Sequence, residues 1–163
     1  VLIRPASANV DQALVVFAIT QSDPNFNLLD RFLIMMLAHD IPVTICFNNT
    51  DLENGAKQQE YRSIYEQAGY PVMFVSTYEK SGVEAVRDYL RGKTTILAGP
   101  SGVGKSSLTN LLQPEAAMET GSISEKIKRG KHTTRHAELF CVEEDTYLMD
   151  FLLCIWKRSN RRN

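Results

Sequence analysis

Apolar residues along this chain fall into two alternating rhythms. The run QALVVFAI, Gln12 to Ile19, is continuous and rich in β-branched side chains, the pattern of a strand covered on both faces. In NFNLLDRFLIMMLAHD the rhythm changes: Leu28, Leu29, Phe32, Leu33, Met36 and Leu37 recur at helical spacing, which predicts a helix with that face turned to a core and the methionine pair as filling. PVTICF, Pro42 to Phe47, predicts a second buried strand that ends in the polar turn NNTD. A helix follows over about Ala56 to Ala68, stopped by Gly69. PVMFVS predicts a third strand, GVEAVRDYLRG a third helix closed by Gly92, and TTILAG a fourth strand. A short helix then runs from Lys105 to about Leu112. From Pro114 to His136 periodicity is lost and Gly, Ser, Thr and basic residues gather, which predicts a long loop. AELFCV and TYLMD, separated by EED, predict a terminal hairpin on the sheet edge.

Regular alternation of strand and helix implies right-handed crossovers and an α/β fold, with a mainly parallel sheet between two helix layers and binding loops at the carboxyl ends of the strands. Composition narrows the picture. A chain of 163 residues, 44% hydrophobic and 23% charged, suits one domain with one substantial core. A net charge of −1 excludes coating of nucleic acid by bulk electrostatics but leaves room for a local basic patch. No apolar run is long enough to span a bilayer, and VLIRPASANVDQ lacks the layout of a signal peptide, so a cytoplasmic protein without a membrane partner is expected. The cysteines Cys46, Cys141 and Cys154 have neither CxxC nor Cys/His spacing. They are expected to be small buried apolar residues, with neither disulfide nor zinc.

The chemistry concentrates in GPSGVGKSS: Gly99, Pro100, Ser101, Gly102, Val103, Gly104, Lys105, Ser106 and Ser107. The pattern GxxxxGK[ST] stands between a predicted strand and a predicted helix, the context in which it forms a phosphate-binding loop. Glycines let backbone N–H groups close around a phosphate, and the helix N-terminus adds a favourable dipole. Lys105 is expected at the β and γ phosphates and the Ser106 hydroxyl on magnesium. Upstream, ICFNNTDL places Asn48 and Asp51 at a strand end with the spacing of the guanine motif N-K-x-D. A carboxylate there accepts from the guanine ring N–H and amine, which adenine cannot match. An Asx-rich turn capping the next helix is the bland alternative. The next strand ends in VSTYEKSG, where Ser76 and Thr77 stand where a base-contacting loop belongs.

The order of these pieces, together with VDQALVV, GPSGVGKSSL and ISEKIKRGKHTTRH, resembles the circularly permuted GTPases, specifically the ribosome small-subunit-dependent family of the RsgA/YjeQ type. The resemblance runs from Val1 to about Asp150. It implies a three-layer P-loop GTPase fold with a guanine-binding half over 1–92 and a phosphate-binding half over 93–150. It also implies GTP hydrolysed to GDP with magnesium, and stimulation by the small ribosomal subunit. In that family an oligonucleotide-binding β-barrel precedes the GTPase domain and a zinc domain follows it; neither lies in these 163 residues, so zinc is not expected here. Thr133 or Thr134 would close over magnesium and the γ-phosphate, and His132 would place or polarise water, while His136 is expected to be structural; a solvated side chain is the bland alternative for either histidine. Lys126, Lys128, Arg129, Lys131 and Arg135 would meet ribosomal RNA phosphates, the bland alternative being a solvated loop. A monomer is expected.

Two positions depart from the family pattern. Asn49 replaces the lysine whose stem packs on the base, which implies weaker guanine affinity. After Asp150, expected near the magnesium, the family reads D-T-P-G, but this chain reads DFLLCIWKRSNRRN. The γ-phosphate sensor is therefore missing from the sequence, and impaired hydrolysis is expected. Allowed codons for Asp150 to Asn163, read one base out of frame, can give Phe-Ser-Ser-Leu, the continuation of the family motif, so 151–163 is either an out-of-frame tail or a basic RNA-binding one. The coding DNA decides between them. Alternatives to a GTPase are a non-catalytic nucleotide-binding remnant and, disfavoured by Asp51, a P-loop ATPase.

Overall fold

The computed structural model describes residues 10–20, 24–113 and 138–150, the side chains of Glu138, Leu139 and Asp150 excepted. Six strands form one sheet: β1 (Gln12–Ala18), β2 (Val43–Asn48), β3 (Val72–Phe74), β4 (Thr94–Ala98), β5 (Glu138–Glu143) and β6 (Thr146–Asp150). Their spatial order is β3-β2-β1-β4-β6-β5, all neighbours parallel except the β5/β6 hairpin. Four helices complete the described fold: α1 (Phe26–Ala38), α2 (Ala56–Gln67), α3 (Val83–Leu90) and α4 (Lys105–Leu112).

Burial on both faces explains the unbroken apolar strands. Ala13, Val15 and Phe17 of β1, with Ile45 and Phe47 of β2, pack under Leu29, Leu33 and Met36 of α1 and Tyr61 and Tyr65 of α2. The alternate residues Leu14, Val16 and Cys46 join Val86 and Leu90 of α3 and Leu108 and Leu112 of α4 on the other face. Each Val, Leu, Ile, Phe or Met among them contributes about 1.5–3 kcal/mol when fully buried. Local signals agree with the packing: the Asn25 side chain caps α1 by accepting from the Leu28 N–H at 3.1 Å. The first core also holds an aromatic knot, with the Phe47 ring 5.1 Å from Tyr61 and stacked on Phe74 at 5.8 Å.

Three sequence expectations need correction. Leu37 is 67% exposed, because the buried stripe of α1 runs through Leu29, Leu33 and Met36, and Leu37, one residue further round the helix, faces away from it. Cys141 is exposed on the edge strand β5, whereas Cys46 is buried as expected; Cys154 lies outside the described residues. The third strand is shorter than its apolar run: it ends at Phe74, Val75 keeps one backbone bond to the Phe47 carbonyl at 2.9 Å, and Ser76 pairs with Ser81.

Parallel pairing sets the site. Ala18 lies beside Asn48, Phe47 beside Phe74, and Val15 beside Ala98, so β1 to β4 all end at one edge of the sheet. Asp150 at the end of β6 pairs with Leu97, two residues before Gly99.

Candidate nucleotide site

At the end of β4 the chain turns through Gly99 to Gly104 into α4. Gly99 approaches β1 so closely that a Cβ would run into the Val16 carbonyl, which fixes glycine at the start of the loop. Gly104 has φ 93°, and a Cβ there would strike the Asn48 side-chain amide. Both conserve room for backbone alone. Lys105, 6% exposed, donates from Nζ to the carbonyls of Gly99 at 2.8 Å and Pro100 at 2.7 Å, which curls its ammonium over the loop. Ser101, Gly102, Ser106 and Ser107 are exposed at the loop and the first turn of α4, and Val103 is buried beneath them.

Asn48, fully buried, is the brace of the assembly. Its Nδ2 donates to the Val103 carbonyl at 2.9 Å and to Thr77 Oγ1 at 3.3 Å, and its Oδ1 accepts from the Thr77 N–H at 3.1 Å. One side chain thus ties three strand-end loops together. Spacing identified Asn48 as a position of the guanine motif, but its part as a strut depends on strand order that spacing does not reveal. Asp51 sits in a 3-10 turn, Thr50–Leu52, and accepts from Ser76 Oγ at 2.6 Å. Ser76 is fully buried, and its Oγ accepts in turn from the Glu79 N–H at 3.0 Å. Thr50 anchors the same turn to the Val75 carbonyl through Oγ1 at 3.0 Å. Asn49, immediately before this turn, is left-handed, with φ 65°.

Behind Asp51, Glu53 closes the 3-10 turn three residues before α2 begins at Ala56. Desolvation works against its charged form, but backbone N–H donors from Lys57, at 2.9 Å, and from Gly55 and Gln58 outweigh it and hold the carboxyl below its ordinary range. Capping of α2 is shared by Glu53 and Asn54, whose Oδ1 accepts from the Ala56 N–H at 3.2 Å.

The structure brings Asn48, Asp51, Ser76 and Thr77 to the same sheet edge as Gly99 to Ser107. His132, Thr133, Thr134 and the basic residues around them lie outside the described residues, as does the tail 151–163, while the backbone of Asp150 stands at this edge in β6. Among the described residues no cluster of three His, Cys, Asp or Glu side chains is placed to hold a metal. Ser106, exposed at the first turn of α4, offers one hydroxyl oxygen beside the phosphate loop, which suits an ion such as magnesium that usually takes one or two protein oxygens and completes its shell with phosphates and water.

The comparisons agree with this architecture. A family model described as RsgA GTPase matches residues 1–151. The chain is 60% identical over 149 residues to the small ribosomal subunit biogenesis GTPase RsgA of Agathobacter rectalis, covering 91% of this chain and 49% of the relative. It is 50% identical over 149 residues to the protein of the same name from Alkaliphilus metalliredigens, covering 91% and 51%. Among solved structures it superposes on YjeQ from Thermotoga maritima with a TM-score of 0.66 at 26% identity, covering 87% of this chain and 47% of that one. It also superposes on YloQ, described as a circularly permuted GTPase, with a TM-score of 0.63 at 34% identity, covering 88% and 45%. The chain spans about half the length of the curated relatives it matches.

Proposed function

We propose, from the premise that the chain belongs to the RsgA GTPase family, that these residues form the GTP-binding domain of a ribosome-maturation GTPase. The observation that carries this reading is the lysine of the phosphate loop: Lys105 is buried, and its ammonium rests on the Gly99 and Pro100 carbonyls in a loop that Asn48 clamps to the base-reading turns. A nucleotide diphosphate offers that ammonium anionic oxygens in place of carbonyls, a stronger charge-assisted partner. Asp51 accepts from the guanine ring N–H and amine, and an adenine leaves the carboxylate unpaired. Magnesium, held by Ser106 beside the phosphates, would supply neutralisation of their charge.

Hydrolysis asks for more than binding. Thr133, Thr134, His132 and Asp150 are assigned to magnesium, the γ-phosphate and the attacking water. The sequence after Asp150 lacks the D-T-P-G backbone that would sense the γ-phosphate, so we assign this chain binding with slow turnover at best. That same departure favours the second reading, a guanine-nucleotide-binding remnant without catalysis. The names of the relatives point to the small ribosomal subunit as partner, approached by a cytoplasmic monomer through Lys126, Lys128, Arg129, Lys131 and Arg135. No helix among the described residues is long and apolar enough to cross a membrane.

Titrating the chain and Lys105→Ala with GDP, GTP, ADP and ATP in magnesium, alongside single-turnover GTP hydrolysis, tests all of this. The expected result is GDP and GTP binding that discriminates against adenine nucleotides and is lost in Lys105→Ala. Measurable single-turnover hydrolysis supports the GTPase, its complete absence the remnant, and tighter ATP than GTP binding overturns the guanine assignment.

A further inference from the structure

Tyr78 is the most exposed large apolar side chain among the described residues, at 86%, yet its backbone is held firmly. It stands in the turn from Ser76 to Ser81, closed by reciprocal backbone hydrogen bonds of 3.0 and 3.1 Å. Ser76 at the base of that turn is bonded to Asp51, and Thr77, next to Tyr78, donates its N–H to Asn48. An aromatic ring in water thus sits on a rigid stalk that is itself fastened to both residues of the guanine motif.

A carboxylate such as Asp51 reads the edge of a base and offers nothing to its faces. Stacking on a ring is the contact that a base face rewards, and it adds about 1–3 kcal/mol per base. Asn49, the other residue at this rim, has a short polar amide with no apolar stem to lay against a ring. Phe74 is already engaged, stacked on Phe47 at 5.8 Å with the Arg62 guanidinium 5.0 Å from its centroid. We infer that Tyr78 stacks on the face of the bound guanine and is the residue that makes up for Asn49. The inference rests on the reading of Asp51 as the guanine-edge contact.

Calorimetric titration of the full 163-residue chain, Tyr78→Ala and Tyr78→Phe with GDP and with inorganic pyrophosphate, in magnesium, tests it. Loss of the ring is expected to weaken GDP about tenfold, the equivalent of about 1.4 kcal/mol of stacking. Pyrophosphate affinity is expected to stay at the wild-type level, and Tyr78→Phe to restore GDP binding. Melting temperatures should coincide, since an exposed side chain leaves the core untouched. Unchanged GDP affinity in Tyr78→Ala overturns the stacking role while leaving the nucleotide site intact. An equal loss for pyrophosphate overturns it too, by showing that the turn rather than the ring matters. Should the wild-type chain bind GDP no better than pyrophosphate, the base-reading assignment of Asp51 fails and the inference falls with it.

Discussion

Asp51 and Asn48 come from one four-residue motif, but Asn48 is tied to the Val103 carbonyl and to Thr77 while Asp51 is tied only to Ser76 among the hydrogen bonds described above, so with Asp51 proposed as the guanine contact, substitution should separate them. Asp51→Ala removes the carboxylate proposed to accept from guanine, while Ser76, its partner, retains the Glu79 N–H as a donor to its Oγ. A charged hydrogen bond of about 1.5–3 kcal/mol is lost, so GDP affinity should fall roughly tenfold to a hundredfold with ADP affinity unchanged, as read by fluorescence titration. Gly104→Ala acts on the brace instead. Its Cβ would collide with the Asn48 amide at a backbone φ of 93°, so GDP, ADP and pyrophosphate should all weaken together and the melting temperature should drop. Parallel losses for Asp51→Ala would contradict this division. Residue spacing made Gly99, Lys105 and Asp51 legible, because a glycine-lysine pattern and a carboxylate at a strand end each carry a recognisable chemical demand. It could not distinguish a base contact from a strut at Asn48, since the Val103 carbonyl that Asn48 holds is 55 residues away in the chain.

Among the elements, α4 is the one on which the phosphate loop depends, and both of its ends are secured from outside. Its N-terminal turn follows the Asn48 clamp; its C-terminal carbonyls, Leu111 and Leu112, accept from the Arg87 guanidinium of α3 at 3.1 and 3.2 Å. Glu84 lies 3.5 Å from the same guanidinium. A cation there also suits the negative end of the helix dipole. Arg87→Ala should therefore lower stability by about 1–2 kcal/mol, seen as a reduced urea midpoint with unchanged slope, while Arg87→Lys recovers part of the loss. An unaltered midpoint would show that water caps α4 equally well. The apolar period of α3, Val83, Val86 and Leu90, was visible in the sequence because it repeats every three or four residues. Nothing in that period singles out Arg87; only the sheet order, which sets α3 beside α4, makes it a cap. The same limit applies to the hairpin, whose second strand rather than its first pairs with β4.

At the scale of the molecule, the two-sided sheet that made the strands readable also buries a thiol, and that burial has a pH signature. Desolvation in the second core raises the Cys46 thiol from 9.0 to about 12, because a thiolate there would have no water. Tyr65, on the opposite face, is raised from 10.0 to about 12, chiefly by burial, with Asp30 and then Tyr61 adding repulsion. In both cases the folded state keeps a proton that the unfolded chain releases earlier. The stability that goes with the protonated form is fully present below pH 9 and is lost as pH climbs toward 12, so the unfolding free energy must fall with rising alkalinity. For Cys46 alone the limiting slope is about 1.4 kcal/mol per pH unit. Urea midpoints of the wild-type chain and Cys46→Ala, compared at pH 8, 9.5 and 10.5 in magnesium-free buffer, isolate that contribution. The small cavity left by alanine shifts the whole Cys46→Ala curve by a constant amount, whereas the missing titration makes it shallower. Convergence of the two curves as pH rises is the expected result, and parallel curves would mean that the Cys46 thiolate is accommodated in the native fold, contrary to a close-packed interface between α3, α4 and the sheet.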